Sequence, residues 1–175
     1  MTSTLLFAAG IVGFVVLLVF ILSYITIRQR RKETEKQEQY FLKTAAVFNV
    51  IIYKKDMLQH RMIGWDEMKK QLLYVDFSNQ PYEPKLIKTA DIASSRLLVN
   101  NHSITEKIKG EDKVTESFVS SVKLRLHYKN SGQGFEDLGF YKYGIDTFHN
   151  LSHLKAVAGE WEELINANSG NGKQV

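Results

Sequence analysis

The chain contains no cysteine, and this absence removes several classes of function at once. Disulfide frameworks, thiolate nucleophiles and cysteine-ligated metal centres are all excluded. Small secreted domains often depend on disulfides, so the lack of cysteine agrees with a reducing compartment. The 175 residues, of which 44% are hydrophobic, are enough for an anchor and one domain of ordinary size.

Charged side chains are absent from residues 1–27, where Leu5–Ile27 forms one uninterrupted apolar run. A helix of this length extends roughly 34 Å, and the hydrocarbon core of a bilayer is about 30 Å thick. A cleaved signal peptide needs a basic start, a shorter apolar core and a small-residue cleavage site, whereas RQRRK follows here. The run therefore predicts a transmembrane helix over residues 5–27, with residues 1–4 outside the cytoplasm.

Positive charge is concentrated immediately after this run. Residues 28–36 hold five basic and two acidic side chains, which leaves 23 − 5 = 18 basic and 19 − 2 = 17 acidic side chains for residues 37–175. Because Lys and Arg beside a span remain in the cytoplasm, the N-terminus is predicted to face out and the domain to face in. The near-balanced charge of the domain argues against a nucleic-acid-binding face, so no nucleic-acid partner is predicted.

The predicted span and the basic residues after it also suggest contacts with lipids and between two copies of the chain. The flanking residues predicted to set the topology and to contact lipid headgroups are Arg28, Arg30, Arg31 and Lys32. Ala9 and Gly13 form a small-x-x-x-small pair that would let two helices approach closely and form a homodimer. Small residues are also common in membrane helices that do not associate, so both interpretations of this pair stay open.

Beyond the span, the pattern predicts a charged helical connector over residues 28–48 and one domain over residues 49–167. Residues 49–57 are ambiguous between helix and strand, although Val50 to Tyr53 favour a strand by residue type. The polar residues 168–175 are predicted to form a flexible tail.

The first half of the domain predicts short strands separated by polar turns. Residues 62–66 and 71–77 are typical of a hairpin. Proline and asparagine mark residues 78–84 as a loop, and a short strand is predicted over residues 85–88. A further turn is predicted at Asn100-Asn101.

The second half predicts a half-buried strand and then a helix. Alternation is clearest over residues 118–128, where Val122, Leu124 and Leu126 alternate with charged or polar residues, as in an antiparallel sheet with one wet face. The period then changes, and the apolar residues that fall on one helical face are Leu151, Leu154, Ala158, Trp161 and Ile165. Such a helix must bury its apolar stripe, most simply across an open end of a curved sheet.

This order of elements resembles the pleckstrin-homology-like fold, in which a bent antiparallel sheet is capped by a C-terminal helix. Within residues 60–167, the resemblance is carried by Lys70-Gln71-Leu72-Leu73-Tyr74-Val75-Asp76, Tyr82-Glu83-Pro84, Asp91-Ile92 and Ala158-Gly159-Glu160-Trp161. The same residues are similar to small membrane-anchored bacterial proteins of unknown function. The resemblance implies an α+β protein with an N-terminal transmembrane helix, a curved antiparallel sheet and a capping helix. Pleckstrin-homology-like domains bind lipids, peptides or proteins, so it also implies a binding module.

Histidine and glycine motifs predict no chemical site. His149 and His153 are spaced i, i+4 behind Asp146, but neither a third ligand nor an HExxH glutamate accompanies them. Surface and capping contacts explain this pair. Ser131 to Gly134 is glycine-rich without the spacing of a phosphate-binding loop, so a hairpin turn explains it.

The aspartates and tryptophans are likewise explained by structure. No base, nucleophile or metal is positioned beside Asp66, Asp76 and Asp91 to make them catalytic. Trp65 and Trp161 are expected to anchor the core. No catalytic residue, metal or cofactor is therefore predicted.

The sequence as a whole predicts a non-enzymatic, single-pass membrane-anchored interaction module in the inner cell membrane, with a cytoplasmic domain. Its predicted partners are the lipid bilayer and another protein, bound at an exposed sheet edge or loop. The alternative is an accessory subunit of a membrane or envelope complex that assembles through its transmembrane helix. An enzyme would need a deep pocket lined by converging polar groups with perturbed pKa values.

Overall fold

A computed structural model of the chain divides into two compact units, Met1–Leu42 and Lys43–Val175. The residues whose placement it describes are 2–108, 111–130, 132, 134–147 and 150–169. Within these ranges, the side chains outside the described set are those of residues 2–13, 15, 16, 104–108 and 111–116.

Helix α1 extends from Thr2 to Val47. Its residues up to Leu42 form the first unit, and its last turn belongs to the second unit. The hydroxyl group of Thr26 donates to the carbonyl of Leu22 at 2.8 Å. Among the described residues, no helix is both long enough and apolar enough to cross a membrane. The predicted span over residues 5–27 and its Ala9/Gly13 pair include side chains outside the described set, so both stay predictions.

Helix α1 ends because Asn49 adopts a left-handed backbone conformation, with φ of 56°. The N–H of Asn49 donates to the carbonyl of Ala46 at 3.0 Å, and that of Val50 donates to the carbonyl of Ala45 at 2.8 Å. These two bonds form a Schellman motif, in which asparagine is one of the residues that tolerate the left-handed position. The ambiguous segment is therefore a helix end followed by a short link and a strand.

The first sheet is antiparallel and contains β1 (Lys54–Leu58), β2 (Arg61–Asp66), β3 (Gln71–Asp76) and β4 (Lys85–Lys88), in that order. It confirms the predicted hairpin, the loop at residues 78–84 and the short strand after it. Strand β1 begins later than the residue types suggested, because Val50 to Tyr53 lie before it. The N–H of Tyr53 donates to the carbonyl of Trp65 on β2 at 2.9 Å, so hydrogen bonding to β2 begins one residue before β1.

The second sheet follows a short 3₁₀ turn (Thr89–Asp91) and contains β5 (Ile92–Ile108), β6 (Glu111–Tyr128) and β7 (Phe135–Lys142). The predicted alternation on β6 is confirmed, because Val122, Leu124 and Leu126 are fully buried.

The predicted turn at Asn100-Asn101 is wrong, since both residues lie within β5. A register shift at this point leaves Ser120 on β6 without a direct opposite, as in a β-bulge. The Asn100 amide donates to the Ser121 hydroxyl at 3.0 Å and the Ser120 hydroxyl donates to the Asn100 carbonyl at 3.1 Å, so side chains complete the bonding there.

Helix α2 (Leu151–Asn168) packs its apolar face on the sheets, as the period predicted. The core joins side chains from both sheets and from α2, and Trp65 and Trp161 are both buried in it. The structure is thus α+β, as expected, but its strands form two antiparallel sheets rather than one.

Candidate functional site

Two hollows lie along β4 of the first sheet and β7 of the second, and together they form what we call the β4–β7 cleft. One hollow, of about 420 Å³, is lined by residues that include Leu86, Lys88, Asp91, Tyr128, Phe135 and Glu136. The other, of about 390 Å³, is lined by residues that include Tyr74, Asp76, Glu83, Lys85, Asp137 and Gly139. Both volumes fall in the range of about 300–1,000 Å³ that is usual for ligand pockets.

The backbone of β4 presents unpaired groups to this cleft. The N–H of Thr89 donates to the carbonyl of Lys70 at 3.0 Å, which makes these two residues a hydrogen-bonded pair. In an antiparallel ladder such pairs alternate with non-bonded ones, so the backbone groups of Leu86 and Lys88 point away from β3. Strand β4 pairs with no described strand other than β3. Lys88 is the N-cap of the following 3₁₀ turn, which uses its carbonyl, so the free edge consists of the N–H and carbonyl of Leu86 and the N–H of Lys88.

The backbone of β7 faces the cleft in the same way. The carbonyl of Gly134 accepts from the N–H of Tyr128 on β6 at 3.3 Å, and the direction then alternates along the strand. Phe135, Asp137 and Gly139 consequently direct their N–H and carbonyl groups away from β6. At Gly139 both groups are already used, because the Tyr74 hydroxyl donates to its carbonyl at 3.0 Å and accepts from its N–H at 3.1 Å.

An ion pair crosses the cleft between the two strands. The Lys85 ammonium lies 2.6 Å from a Glu136 carboxylate oxygen, and the Tyr128 hydroxyl donates to the other oxygen at 2.6 Å. Burial opposes ionisation of Glu136, but these two partners outweigh it and lower the pKa of the carboxyl group. Burial and the neighbouring carboxylate raise the pKa of Tyr128, which keeps its hydroxyl a hydrogen-bond donor.

The lining of the cleft contains five carboxylates, three of which are paired with Arg61, Lys85 or Arg125. Three carboxylates and one lysine line the smaller hollow, and two carboxylates and one lysine line the larger. Asp137 is also held from outside by Arg125, whose guanidinium donates to its two oxygens at 2.7 and 3.0 Å. Hydrogen bonds from Arg125 lower the pKa of Asp137, so this carboxylate stays charged.

A buried charge cluster supports the cleft from the core side. Arg61 is only 3% exposed, and it donates to Asp146 at 2.7 Å and to Asp76 at 3.2 Å. Burial disfavours the charge on Arg61, but the hydrogen bond and charge of Asp146 overcome this and raise its pKa. The backbone N–H of Lys142 donates to the same Asp146 oxygen at 2.6 Å. A Cβ on Gly139 would lie 3.2 Å from Nε of Arg61, so the close approach of β7 depends on glycine.

The outer edge of β5 is closed near Ser95, in contrast to the cleft. The side-chain amide of Asn166 on α2 accepts from the N–H of Ser95 at 2.8 Å and donates to its carbonyl at 3.1 Å. The Ser95 hydroxyl donates to the carbonyl of Glu162 at 3.1 Å. Helix α2 thus supplies the bonds that a neighbouring strand would make at this residue.

Strands β5 and β6 continue as a two-stranded arm beyond the sheet, because β7 pairs with β6 only from Ser121 to His127. Three rings form a row at the base of this arm. The centroids of His102 and Phe118 are 5.5 Å apart, and those of Phe118 and Tyr143 are 4.4 Å apart. Cross-strand ring contacts of this kind stabilise a pair of strands, so a structural role explains the row.

The residues predicted to contact lipid headgroups, namely Arg28, Arg30, Arg31 and Lys32, are exposed on α1 in the first unit. Nothing in the structure tests their contact with lipid, which stays a prediction. His149 of the histidine pair lies outside the described residues. Within the part of the chain that is described, no group of three His, Asp or Glu side chains is arranged to hold a metal ion.

The three aspartates considered for catalysis do not form one set. Asp66 and Asp76 lie at opposite ends of the β2–β3 hairpin, about 17 Å apart along the strands. Burial opposes ionisation of Asp66, but backbone N–H groups of Lys69, Ile51 and Met68 lower its pKa, which gives it a loop-holding role. Asp76 pairs with Arg61, and Asp91 lines the cleft.

Sequence reasoning missed three residues with structural roles in this region, namely Arg61, Gly139 and Asn166. Arg61 opens the otherwise mainly apolar strand Arg61–Asp66, and a charge beside such a strand was the available signal for a buried ion pair. Gly139 and Asn166 carry no comparable signal, because their roles depend on partners 65 and 71 positions away along the chain.

Comparison with known proteins yields no relative for this chain. No family model, no curated protein sequence and no solved structure matches it. The function is therefore inferred from the chain's own residues and from the geometry of the cleft.

Proposed function

We propose that the protein is a single-pass, membrane-anchored interaction module whose cytoplasmic domain binds another protein at the β4–β7 cleft. The observation that carries this proposal is the pair of strand edges that line one cleft while pairing with no further described strand. Free strand edges are a recurrent site for recognising an extended peptide segment. The module acts by binding, with no catalytic step of its own.

The proposed domain architecture is pleckstrin-homology-like. Four strands, then three strands, then one helix packed on both sheets support it. The membrane anchor is supported by the uncharged run Leu5–Ile27 and by the basic residues that follow it. Fractionation of cells that express the full chain tests the anchor, and recovery in the fraction without membranes would contradict it.

Site-specific photo-crosslinking tests the binding site. A photoreactive amino acid at Lys88, which is exposed and lines the cleft, is expected to capture one defined protein reproducibly. The matched control places the same group at Glu163, which is exposed on α2. Capture of the same protein from both positions, or from neither, would contradict the proposed site.

Exchange of the anchor separates this proposal from the accessory-subunit alternative. When residues 5–27 are replaced by an unrelated membrane span, crosslinking from Lys88 is expected to persist, because the cleft makes the contact. Loss of the crosslink in a variant that still fractionates with membranes would favour assembly through the helix instead.

A further inference from the structure

We propose that two copies of this chain associate through the outer edge of β4, with the two strands antiparallel and a two-fold axis between their Leu86 residues. This inference rests on the proposed function and names the bound protein as a second copy of the same chain. The observation that carries it is the order of backbone donors and acceptors over residues 84–88, which is complementary to itself when reversed.

Leu86 lies at the centre of this edge and offers both a donor and an acceptor. It is opposite Leu73, between the hydrogen-bonded pairs that Lys85 and Ile87 form with β3. Its N–H and carbonyl therefore point away from β3, and no described residue bonds to them. Two such residues that face each other across a two-fold axis would exchange two hydrogen bonds.

Lys88 and Pro84, on either side of this centre, each offer one group only. Lys88 presents an N–H, because its carbonyl is used by the 3₁₀ turn. Pro84 has no N–H. Its carbonyl points away from β3, because the N–H of Lys85 in the same trans peptide unit points toward that strand. The edge is thus an acceptor at one end and a donor at the other.

A second copy in the reversed direction fits this order with no group left over. In an antiparallel ladder centred on the two Leu86 residues, each Lys88 lies opposite Pro84 of the other copy. Each Lys88 N–H then donates to a Pro84 carbonyl, which adds one bond at each end. An ordinary strand of a different protein would leave an N–H opposite Lys88 and a carbonyl opposite Pro84 without partners, and this favours a second copy.

The side chains of β4 are compatible with this pairing. The two half-buried Leu86 side chains would lie next to each other on one face of the joined sheets. Lys88 would face a proline, and Lys85 would face Ile87, so no like charges are directly opposite. The ammonium of Lys85 is in addition paired with Glu136 at 2.6 Å.

Strand β7 leaves the side of this edge open. Gly139 exchanges hydrogen bonds with Tyr74 on β3, and Glu136 pairs with a lysine on β4. Strand β7 therefore crosses a face of the first sheet instead of continuing it. Phe135 is 56% exposed and lines the hollow beside β4. A second β4 in the plane of the first sheet would cover part of this ring.

Disulfide crosslinking tests the pairing directly, because the chain has no cysteine of its own. Opposed Leu86 residues would have Cα atoms about 5.5 Å apart, within the range of about 4.4–6.8 Å that a disulfide spans. Mild oxidation of membranes that contain the full-length Leu86→Cys chain is expected to give a dimer. The control Glu163→Cys, exposed on α2, should give about tenfold less. Equal yields from the two positions, or no dimer from Leu86→Cys, would overturn the proposal.

Proline at position 88 tests the backbone bonds. Lys88 has φ of −86°, near the value of about −65° that proline imposes, and its N–H does not bond to β3. Lys88→Pro in the Leu86→Cys chain removes both end bonds and should lower the dimer yield about tenfold. The control Lys88→Gln loses the same charge but keeps the N–H, so the yield should change less than about twofold. Equal effects of the two substitutions would refute the hydrogen-bonded pairing.

Hydrogen exchange by NMR tests the chain without any substitution. The amides of Leu86 and Lys88 are expected to exchange about tenfold more slowly in nanodiscs that hold two chains than in nanodiscs that hold one. The amide of Ile87 already bonds to β3 and should be unchanged. Unchanged exchange at Leu86 and Lys88 would contradict the pairing.

Photo-crosslinking from Lys88 distinguishes this inference from the proposed function. Capture of a second copy of the chain supports both. Capture of a different protein alone keeps the cleft as an interaction site but overturns the second copy as its occupant. Capture of no protein refutes both.

Discussion

The edge of β5 and the edges of β4 and β7 belong to one domain, but they differ in whether other groups of the protein occupy their backbone N–H and carbonyl groups. At Ser95 a single asparagine from α2 replaces a neighbouring strand. Along the cleft, the outward backbone groups of Leu86 and Asp137 find no such partner in the described chain. One correctly placed amide is therefore enough to occupy the backbone groups of an edge residue. An edge left free beside a cleft is therefore a feature of the molecule with consequences for binding.

The largest expected effect comes from the buried charges beneath the free edges. Asp146→Ala removes the main partner of Arg61, and we expect the free energy of unfolding to fall by about 3–5 kcal/mol, because an uncompensated charge stays buried. Urea denaturation of the full chain in detergent measures this. The double variant Arg61→Met/Asp146→Leu should recover most of the loss, and a double variant as unstable as the single one would contradict the argument.

Two glycine-to-alanine substitutions, one on β7 and one on α2, are expected to change stability in opposite directions. Gly139→Ala places a Cβ 3.2 Å from Nε of Arg61, so we expect the free energy of unfolding to fall by about 1–3 kcal/mol. Gly159→Ala on α2 meets no atom within 4 Å and should stabilise the helix by about 0.5–1 kcal/mol. Thermal denaturation of both variants checks this, and the same sign for both would show that the close approach at Gly139 is unimportant.

Opening the closed edge is expected to have an intermediate effect. Asn166→Ala leaves the N–H and carbonyl of Ser95 without the amide, and we expect a loss of about 1–2 kcal/mol. Hydrogen exchange at the Ser95 amide should accelerate in the variant, whereas exchange at Leu86 should stay as it is in the parent chain. Unchanged exchange at Ser95 would mean that Asn166 does not close this edge.

The smallest expected effect concerns pH, because an ion pair crosses the cleft whereas the contact of Asn166 with Ser95 is made by uncharged groups. The pKa of Glu136 in the folded protein is lowered from 4.5. Its ion pair therefore stabilises the fold at pH values above 4.5, and this contribution is lost as the pH falls through the lowered pKa. We expect Glu136→Gln to reduce the acid-dependent loss by about 0.5–1 kcal/mol, since the pair is partly solvated. Denaturation at pH 6 and pH 3 measures it, and Asn166→Ala should retain the parent pH dependence.

Much of the fold was predictable because it depends on local patterns. The alternation on β6 and the helical period of α2 reflect contacts that repeat every two or every three to four residues. The loop at residues 78–84 was marked by its turn-forming residues. The turn at Asn100-Asn101 was mispredicted because asparagine also suits a bulge, and only the partner strand distinguishes the two.

For the candidate site, the sequence predicted only the type of location, namely an exposed sheet edge or a loop, and not the residues that form it. Nothing local identifies Tyr74 as the residue that occupies the backbone of Gly139, because the two are separated by 65 positions. The acidic lining likewise comes from residues that are scattered from position 76 to position 137. In the sequence, none of these residues differs from an ordinary surface residue. Only the packing of the two sheets places them in one cleft.

Residues that are neighbours in the chain establish the uncharged run with its basic flank, the order of strands and helix, and the apolar face that α2 buries. The three-dimensional arrangement establishes which edges are closed, which stay free, and which carboxylates bind Arg61. Those outcomes depend on the packing of distant segments, and the direction of a backbone N–H toward a particular side chain is set only when the strands and the helix are in place.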